Sequence, residues 1–335
     1  IPDLKIELLT SSVKKKNVLK EKILKKEIDI VVGTHALLTD DVVFNNLGLV
    51  ITDEQHRFGV NQRKNLINKG YYPDILYMSA TPIPRTYALT IYGDMDISNI
   101  KMMPTGRKRI ITYVKKTKDL KYVLSLMLKE LQDQKQIYVI APLIEESEKT
   151  DMESVMQVYE NMQKAFSKKY QIGLLHGKMK SDEKEMVLQK FKNNEIHILV
   201  STTVVEVGVD NPNATMMIVY DSHMFGLSTL HQLRGRIGRG NAQSYCVFLS
   251  DQNSERLKIL EKTNDGFLSS EEDFKLRGGG DLFGSMQSGD MKFKIANIKE
   301  DFNILIAAKE DSLKYANEIN EDKLKTIFEN LSKLA

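Results

Sequence analysis

The stretch that decides the fold is Leu47-Gly48-Leu49-Val50-Ile51-Thr52-Asp53-Glu54, an apolar run that ends in two adjacent acids. Because the run is continuously apolar, it predicts a strand that is buried on both faces, as in a parallel sheet covered by helices. Open parallel sheets place functional residues at the carboxyl ends of their strands. The sequence therefore predicts that Asp53 and Glu54 lie at a functional edge of a sheet.

Two adjacent acids at such a strand end are typical of the Walker B motif of nucleotide hydrolases. There the Asp helps to hold Mg²⁺ on the phosphates, and the Glu orients or deprotonates the attacking water. A lone acid pair is better explained as a helix cap, so the nucleotide interpretation depends on later segments. No Gly-x-x-x-x-Gly-Lys-Ser/Thr phosphate loop occurs in the chain. We therefore expect most of a nucleotide-driven motor, cut off before its ATP cradle.

The composition is that of an ordinary soluble globular protein. The 335 residues predict about two domains, with 41% hydrophobic and 28% charged residues. A net charge of +3 does not by itself indicate a nucleic-acid binder. The single cysteine, Cys246, excludes an internal disulfide and is expected to pack in the core. No signal peptide or membrane-length apolar stretch is visible, so we expect a cytoplasmic protein without membrane contact.

Short apolar runs alternate with amphipathic stretches, which predicts an α/β fold with parallel sheets covered by helices. The predicted helices include Leu120–Leu131, Met152–Phe166 and Asp182–Phe191, the last with an N-cap region at Ser181. The predicted strands are Ile28–Val32, Leu47–Ile51, Ile75–Met78, Ile137–Ala141, Ile196–Val200, Met216–Tyr220 and Tyr245–Leu249.

The strands fall into two sets separated by the turn-forming linker Met103-Pro104-Thr105-Gly106. This predicts a first lobe over residues 1–106, truncated at its N-terminus, and a second over 107–255. Residues 256–335 read as a C-terminal helical region around a glycine cluster. Two α/β lobes joined by a short linker form a cleft where a ligand can control closure.

The second lobe contains the segment Gln232-Leu233-Arg234-Gly235-Arg236-Ile237-Gly238-Arg239-Gly240. Arg236 and Arg239 are three residues apart, so on a helical turn they would share a face. Two guanidinium groups on one face suit the charge that gathers on a γ-phosphate, where an arginine finger is worth about 10³–10⁵ in rate. A basic helix end with surface salt bridges is the alternative, which the flanking glycines make less favourable.

Small polar residues also follow several predicted strands, in both lobes. Hydroxyls and backbone amides at these places can contact nucleic-acid phosphates without reading sequence. Each histidine among them can equally be a strand-end residue with satisfied hydrogen bonds, and the scattered histidines show no metal constellation. The members are Thr34 and His35, Ser79 and Thr81, His176, Thr202 and Thr203, and Asp210, for which a ribose or the arginine pair is the expected partner.

Together these segments resemble the ordered motifs of superfamily 2 helicases, and in detail those of the RecG family of branched-DNA helicases. The resemblance covers nearly the whole chain. It rests on 33–37, 53–63, 79–86, 141–148, 201–214 and 225–240, with 264–289 similar to the family's translocation motif. The resemblance implies two RecA-like lobes, a C-terminal helical hairpin region, and the motor portion of an enzyme that uses ATP and Mg²⁺ to remodel forks and Holliday junctions in recombination and repair.

The resemblance also implies roles for individual residues. Asp53 would be the Mg²⁺-linked acid and Glu54 the base, and Arg236 and Arg239 would complete the catalytic site. Gln55, His56, Gly208 and Asp210 would lie beside the nucleotide. DNA binding and its coupling to ATP would fall to Thr34, His35, Ser79, Thr81, His176, Thr202, Thr203, Gln232, Arg277 and Gln287. Residues 276–280 depart from the family, because Gly279 stands where a proline is typical.

Two alternatives stay open at this point. One is a DNA-binding fragment without turnover, which the missing phosphate loop favours for the chain as it stands. The other is the motor of a transcription-repair coupling translocase, which shares the C-terminal motif but tends to carry Glu-Gln where this chain has Gln55-His56. The expected partner is branched or forked DNA, with single-strand-binding protein as a candidate protein partner. We expect a monomer, since no segment suggests a dedicated dimer surface.

Overall fold

The computed structural model describes residues 3–11, 13–54, 60–79, 96–100, 102, 106–142, 148–202, 211–272 and 302–315. The chain divides into two compact units, Ile1–Ala80 and Thr81–Ala335. Within the described residues, no helix is both long enough and apolar enough to cross a membrane.

The first unit is built from two small parallel sheets. β1 pairs with β2, and β3 pairs with β4. A small core of Leu9, Leu19, Ile23 and Val42 lies beneath the first sheet. The elements, in chain order, are β1 (Ile6–Leu9), α1 (Lys16–Leu24), β2 (Ile30–Gly33), β3 (Leu49–Thr52), α2 (Val60–Ile67) and β4 (Asp74–Tyr77).

The strand that carries the acid pair is buried on one face only, which corrects the prediction of burial on both faces. Val50 and Thr52 of β3 are buried, whereas Leu49 and Ile51 are 54% and 55% exposed. Leu66 and Ile67 of α2 share a small cavity with Val50 and Thr52 and so cover the buried face. Alternate residues of a strand point to opposite faces, so an apolar run alone cannot tell whether its second face is covered.

The second unit contains a six-stranded sheet in the order β5-β10-β9-β6-β8-β7, in which every pair is parallel. Residues 266–272 are helical as well. The elements are β5 (Ile111–Lys115), α3 (Leu120–Gln132), β6 (Gln136–Ile140), α4 (Glu148–Phe166), β7 (Ile172–Leu175), α5 (Ser181–Lys192), β8 (Ile198–Ser201), β9 (Ala214–Val219), α6 (Leu227–Arg234), β10 (Tyr245–Leu249), α7 (Glu255–Lys262) and α8 (Phe302–Tyr315).

Helices cover both faces of this sheet, which confirms the prediction of a buried parallel sheet. On one face α3 and α4 contribute Val123, Met127 and Val155 to a core cluster. On the other face α5, α6 and α7 contribute residues such as Phe191 and Leu230. Every residue of β6, β8 and β9 is buried. Cys246 is also fully buried, as expected for a core residue.

All seven predicted strands are present: Tyr245–Leu249 has the predicted bounds, and the ends of the other six are shifted by one to two residues. Three further strands were missed, namely β1, β5 and β7. β1 and β5 interrupt their apolar residues with Glu7 and with Thr112 and Tyr113, and β7 has only four residues including a glycine. The predicted cap of α5 moves by one residue: Ser181 is its first helical residue, and the backbone N–H of Lys180 donates to Glu183 Oε2 at 3.1 Å.

Candidate nucleotide and nucleic-acid site

The acid pair follows the carboxyl end of β3 directly, as predicted. Asp53 is exposed, and its Oδ1 accepts a hydrogen bond from the Glu54 backbone N–H at 2.9 Å. Glu54 has a backbone φ of 48°, a left-handed conformation that is uncommon outside glycine. Such a conformation costs on the order of 1–3 kcal/mol and is concentrated at functional sites. The Asp53 carboxylate thus accepts a hydrogen bond from the adjacent backbone amide.

Ser79 lies at the same sheet edge as the acid pair. β3 and β4 are parallel, and the backbone N–H of Met78 donates to the carbonyl of Thr52 at 2.8 Å. The residues that follow each strand, Asp53 and Ser79, are therefore close in the fold. The structure joins these two positions as the order of the motifs predicted.

Thr34 and His35 follow β2, which belongs to the other small sheet. Both residues are exposed, and Thr34 precedes a short 3₁₀ helix, His35–Leu38. A Cβ added at Gly33 would lie 2.4 Å from the carbonyl oxygen of Leu9, so this strand end requires glycine. The structure keeps Thr34 and His35 at a strand end but pairs that strand with β1, not with β3.

In the second unit, His176 and Thr202 follow the neighbouring strands β7 and β8. The backbone N–H of Thr202 donates to the carbonyl of Leu175 at 3.3 Å, which brings the two strand ends together. His176 Nδ1 and Thr202 Oγ1 are buried and have no hydrogen-bond partner within the described residues. Buried polar groups are normally satisfied, so these two atoms are unusual among the described residues. Burial, assisted by Lys184 and Lys178, lowers the pKa of His176.

The arginine segment forms a turn after a helix, which corrects one premise of the sequence argument. α6 ends at Arg234 and Gly235 is its C-cap residue, so Arg236 and Arg239 lie beyond the helix and helical spacing does not place them on one face. Gln232, by contrast, is on α6 itself. We call residues 235–240 the arginine turn.

The glycines of the arginine turn are required by its geometry. Gly238 has a φ of 71°, a conformation that other residues rarely adopt. A Cβ at Gly240 would lie 2.9 Å from the carbonyl oxygen of Pro212. These glycines therefore allow the turn to pack closely against the protein's own backbone.

Sequence reasoning missed Arg234, the most buried arginine of this segment. It is 2% exposed, although long cations are almost never fully buried without partners. Its position one helical turn after Leu230 was a usable signal, because Leu230 and Leu233 of the same helix are buried. Gln55, His56, Thr81, Thr203, Gly208, Asp210, Arg277 and Gln287 lie outside the described residues. The described residues contain no group of three His, Cys, Asp or Glu side chains that could hold a metal ion.

Comparison with known proteins decides the family. Family models match residues 2–89 (DEAD/DEAH box helicase), 101–241 (helicase conserved C-terminal domain) and 263–331 (ATP-dependent DNA helicase RecG, domain 3, C-terminal). The ATP-dependent DNA helicase RecG of Bacillus subtilis is 54% identical over 316 residues, and that of Staphylococcus aureus is 52% identical over 314. The chain belongs to the RecG family. It covers 46% of each of these relatives, while 92% of the chain is matched.

Solved structures agree with the RecG assignment. A structure of RecG bound to a three-way DNA junction is 39% identical with a TM-score of 0.69, covering 90% of this chain and 40% of that one. Dbp5 of S. cerevisiae, solved with RNA and ADP BeF3, is 15% identical with a TM-score of 0.54, covering 93% of this chain and 74% of that one. The latter likeness shows the fold alone, which is the RecA-like helicase fold that the resemblance implied.

Proposed function

We propose that this RecG-family chain is the motor portion of an ATP-dependent DNA helicase or translocase that remodels stalled forks and Holliday junctions in recombination and repair. The observation that carries the proposal is the acid pair at the end of β3, with Glu54 held at a φ of 48°, in a chain that also has the arginine turn. The match to RecG domain 3 supports this over a transcription-repair coupling translocase. The related RecG structure with a three-way DNA junction supports branched DNA as the partner.

The proposed catalytic residues are Asp53, Glu54, Arg236 and Arg239. Asp53 fits a Mg²⁺–nucleotide, since an exposed carboxylate at a strand end offers the oxygen ligand that Mg²⁺ prefers. When bound, the ion would neutralise charge on the nucleotide phosphates. Glu54 would accept the proton of the attacking water, and the two arginines would stabilise the developing negative charge. Gln55, His56, Gly208 and Asp210 are assigned to nucleotide binding by their family positions.

The proposed DNA contacts lie at strand ends in both units. His176 and Thr202, which lie together at the ends of β7 and β8, would contact backbone groups of the nucleic acid. Such contacts fix register without reading sequence, as a motor that moves along any DNA requires. Thr34, His35, Ser79, Thr81, Thr203, Gln232, Arg277 and Gln287 complete the proposed DNA-binding and coupling set.

We further propose that the 335 residues alone bind DNA without turnover. The support is the absence of any Gly-x-x-x-x-Gly-Lys-Ser/Thr sequence, which in this class holds the nucleotide phosphates. The division into 1–106, 107–255 and 256–335 is proposed as one part-lobe, one lobe and a translocation region, and the three family matches support it. A cytoplasmic monomer, with single-strand-binding protein as a further partner, completes the proposal.

The test compares two proteins. One is the chain itself, and the other is a chimera in which the N-terminal part of B. subtilis RecG, which we expect to supply a phosphate loop, precedes residue 1. ATP hydrolysis is measured with Mg²⁺, with and without a forked DNA, and DNA binding is measured at several salt concentrations. We expect salt-sensitive DNA binding by both proteins and DNA-stimulated hydrolysis by the chimera alone. The chimera with Glu54→Gln should bind the fork and fail to hydrolyse ATP.

Two results would contradict parts of the proposal. A chimera that is folded and binds DNA but shows no DNA-stimulated hydrolysis would overturn the motor assignment. The chain alone could also hydrolyse ATP and lose this activity in Glu54→Gln. That result would overturn only the statement that the chain lacks turnover, since ATP would then be held without a phosphate loop.

A further inference from the structure

The last residue of α6, Arg234, is a buried cation directly before the arginine turn. It is 2% exposed, and no carboxylate lies within ion-pair distance of it in the part of the chain that the structure describes. Burial lowers the pKa of its guanidinium, and burying a charge without compensation is costly. The residue can be retained there only because other groups satisfy its donors.

Those groups are carbonyls at the end of α7, one in its last turn and one on its C-cap residue. Arg234 Nη1 donates to the carbonyl oxygens of Leu260 at 2.7 Å and Thr263 at 2.9 Å, and lies 3.4 Å from Thr112 Oγ1. The last carbonyls of a helix have no partner within the helix and form the negative end of its dipole. Arg234 on α6 thus caps a different helix, α7.

His231 fixes the guanidinium from the side of α6. Its Nδ1 lies 3.2 Å from Arg234 Nη2, one turn earlier on the helix. Burial and the neighbouring Arg234 lower the pKa of His231 to about 4, so the ring is neutral near pH 7 and its Nδ1 can accept the bond. The arginine is therefore oriented by its own helix and attached to another.

The point of attachment is the hinge between α7 and the helical residues 266–272. Thr263 Oγ1 accepts the backbone N–H of Asp265 at 3.0 Å. Asp265 Oδ1 in turn accepts the backbone N–H of Phe267 at 2.8 Å, which caps residues 266–272. Arg234 thus connects the end of α6, directly before the arginine turn, to the residues that begin the helix 266–272.

We propose that Arg234 is a positioning residue that couples the arginine turn to the hinge, residues 263–265, and so to the helical residues 266–272. The inference rests on the proposed function, because it assigns Arg234 to the conversion of ATP hydrolysis into movement on DNA. Arg234 contacts neither nucleotide nor DNA in this role. Its loss should therefore reduce the DNA unwound per ATP more than it reduces hydrolysis.

The structure offers a matched control for the test. Arg109 Nη2 donates to the carbonyl of Lys262 at 2.8 Å, so it caps the same end of α7, but it comes from the segment before β5. Arg234→Met and Arg109→Met each remove one guanidinium from this helix end and keep an apolar stem. Arg234→Met removes the bond from α6 to this helix end, whereas Arg109→Met leaves that bond intact.

Both variants are made in the chimera, and ATP hydrolysis and fork unwinding are measured together. For Arg234→Met we expect hydrolysis to stay within about twofold of the parent while base pairs unwound per ATP fall about tenfold. For Arg109→Met we expect both rates to stay within about twofold. A parallel loss of hydrolysis and unwinding in Arg234→Met, or equal behaviour of the two variants, would overturn the inference.

If Arg234→Met does not fold, His231→Leu tests the same connection while keeping the arginine. His231→Leu should lower the number of base pairs unwound per ATP. His231→Gln, which retains a hydrogen-bond acceptor, should restore that number, and equal values for the two variants would overturn the inference.

A parent chimera without DNA-stimulated hydrolysis would refute the proposed function instead. In that case, amide exchange of residues 263–272 in the 335-residue chain tests the role of Arg234. We expect Arg234→Met to accelerate this exchange and Arg109→Met to leave it unchanged. Equal exchange in the two variants would refute the proposed connection to the hinge.

Discussion

At the scale of single residues, burial sets the chemistry of the second unit's histidines and arginines. His231 shows this most clearly, because its ring is packed beside a buried cation and the pKa of the ring falls to about 4. An unfolded histidine titrates near pH 6.5. The unfolded chain therefore binds a proton in a pH range where the folded chain does not, and stability must depend on pH there.

The first prediction follows from this difference. As the pH falls from about 6.5 towards 4, protonation of His231 in the unfolded state should lower the free energy of unfolding by on the order of 3 kcal/mol. This stability is fully present above pH 6.5, since the folded pKa is depressed. Urea unfolding of the second unit, measured in the parent chain and in His231→Gln at pH 7 and 4.5, tests this, and the variant should lose less stability on acidification. Equal losses would show that His231 titrates normally.

The second prediction concerns Arg239, the second arginine of the arginine turn. In the chimera, Arg239→Ala should lower ATP hydrolysis by about 10³-fold or more, because the proposed γ-phosphate contact is lost. DNA binding should change little, and Lys178→Ala serves as a control that removes an exposed charge near the strand ends of β7. An unchanged hydrolysis rate for Arg239→Ala would refute the catalytic role.

At the scale of elements, the arginine turn depends on glycines more than on helical periodicity. Gly240→Ala would place a Cβ 2.9 Å from the Pro212 carbonyl, a backbone group that cannot rotate away. Gly177→Ala is the matched control, since nothing lies within 4 Å of its added Cβ. We expect Gly240→Ala to destabilise the chain by about 1–3 kcal/mol and Gly177→Ala to change stability by less than about 1 kcal/mol. Urea unfolding that ranks the two variants equally would contradict this geometry.

Elements also show what the sequence could and could not reveal. Continuous apolar runs such as Met216–Tyr220 correctly predicted strands of the buried sheet, because both faces there meet helices. The same pattern at Leu47–Ile51 predicted the strand but not its one-sided burial, which depends on neighbours distant in sequence. The position of the acid pair at a strand end was predictable. The helical placement of Arg236 and Arg239 was not correct, because a glycine cap ended α6 first.

At the scale of the whole molecule, the two units differ in how well each buries its own apolar residues. The second unit sandwiches six strands between two core clusters. The first unit has the small cluster around Leu9, Leu19 and Ile23, and it leaves Ile6 and Leu8 of β1 59% and 55% exposed. Marginal burial leaves little free energy against the entropy of the unfolded chain. The chain is therefore not expected to unfold in one step.

The final prediction is that the first unit opens well before the second. In amide exchange with increasing urea, β1 to β4 should lose protection at lower urea than β6, β8 and β9. Leu19→Ala and Leu230→Ala remove the same group from each core and should each cost about 2–5 kcal/mol. Leu19→Ala should then expose the first unit while the second stays protected, and Leu230→Ala should lower the protection of the second. A single transition shared by all strands, shifted equally by both variants, would show instead that the units fold as one.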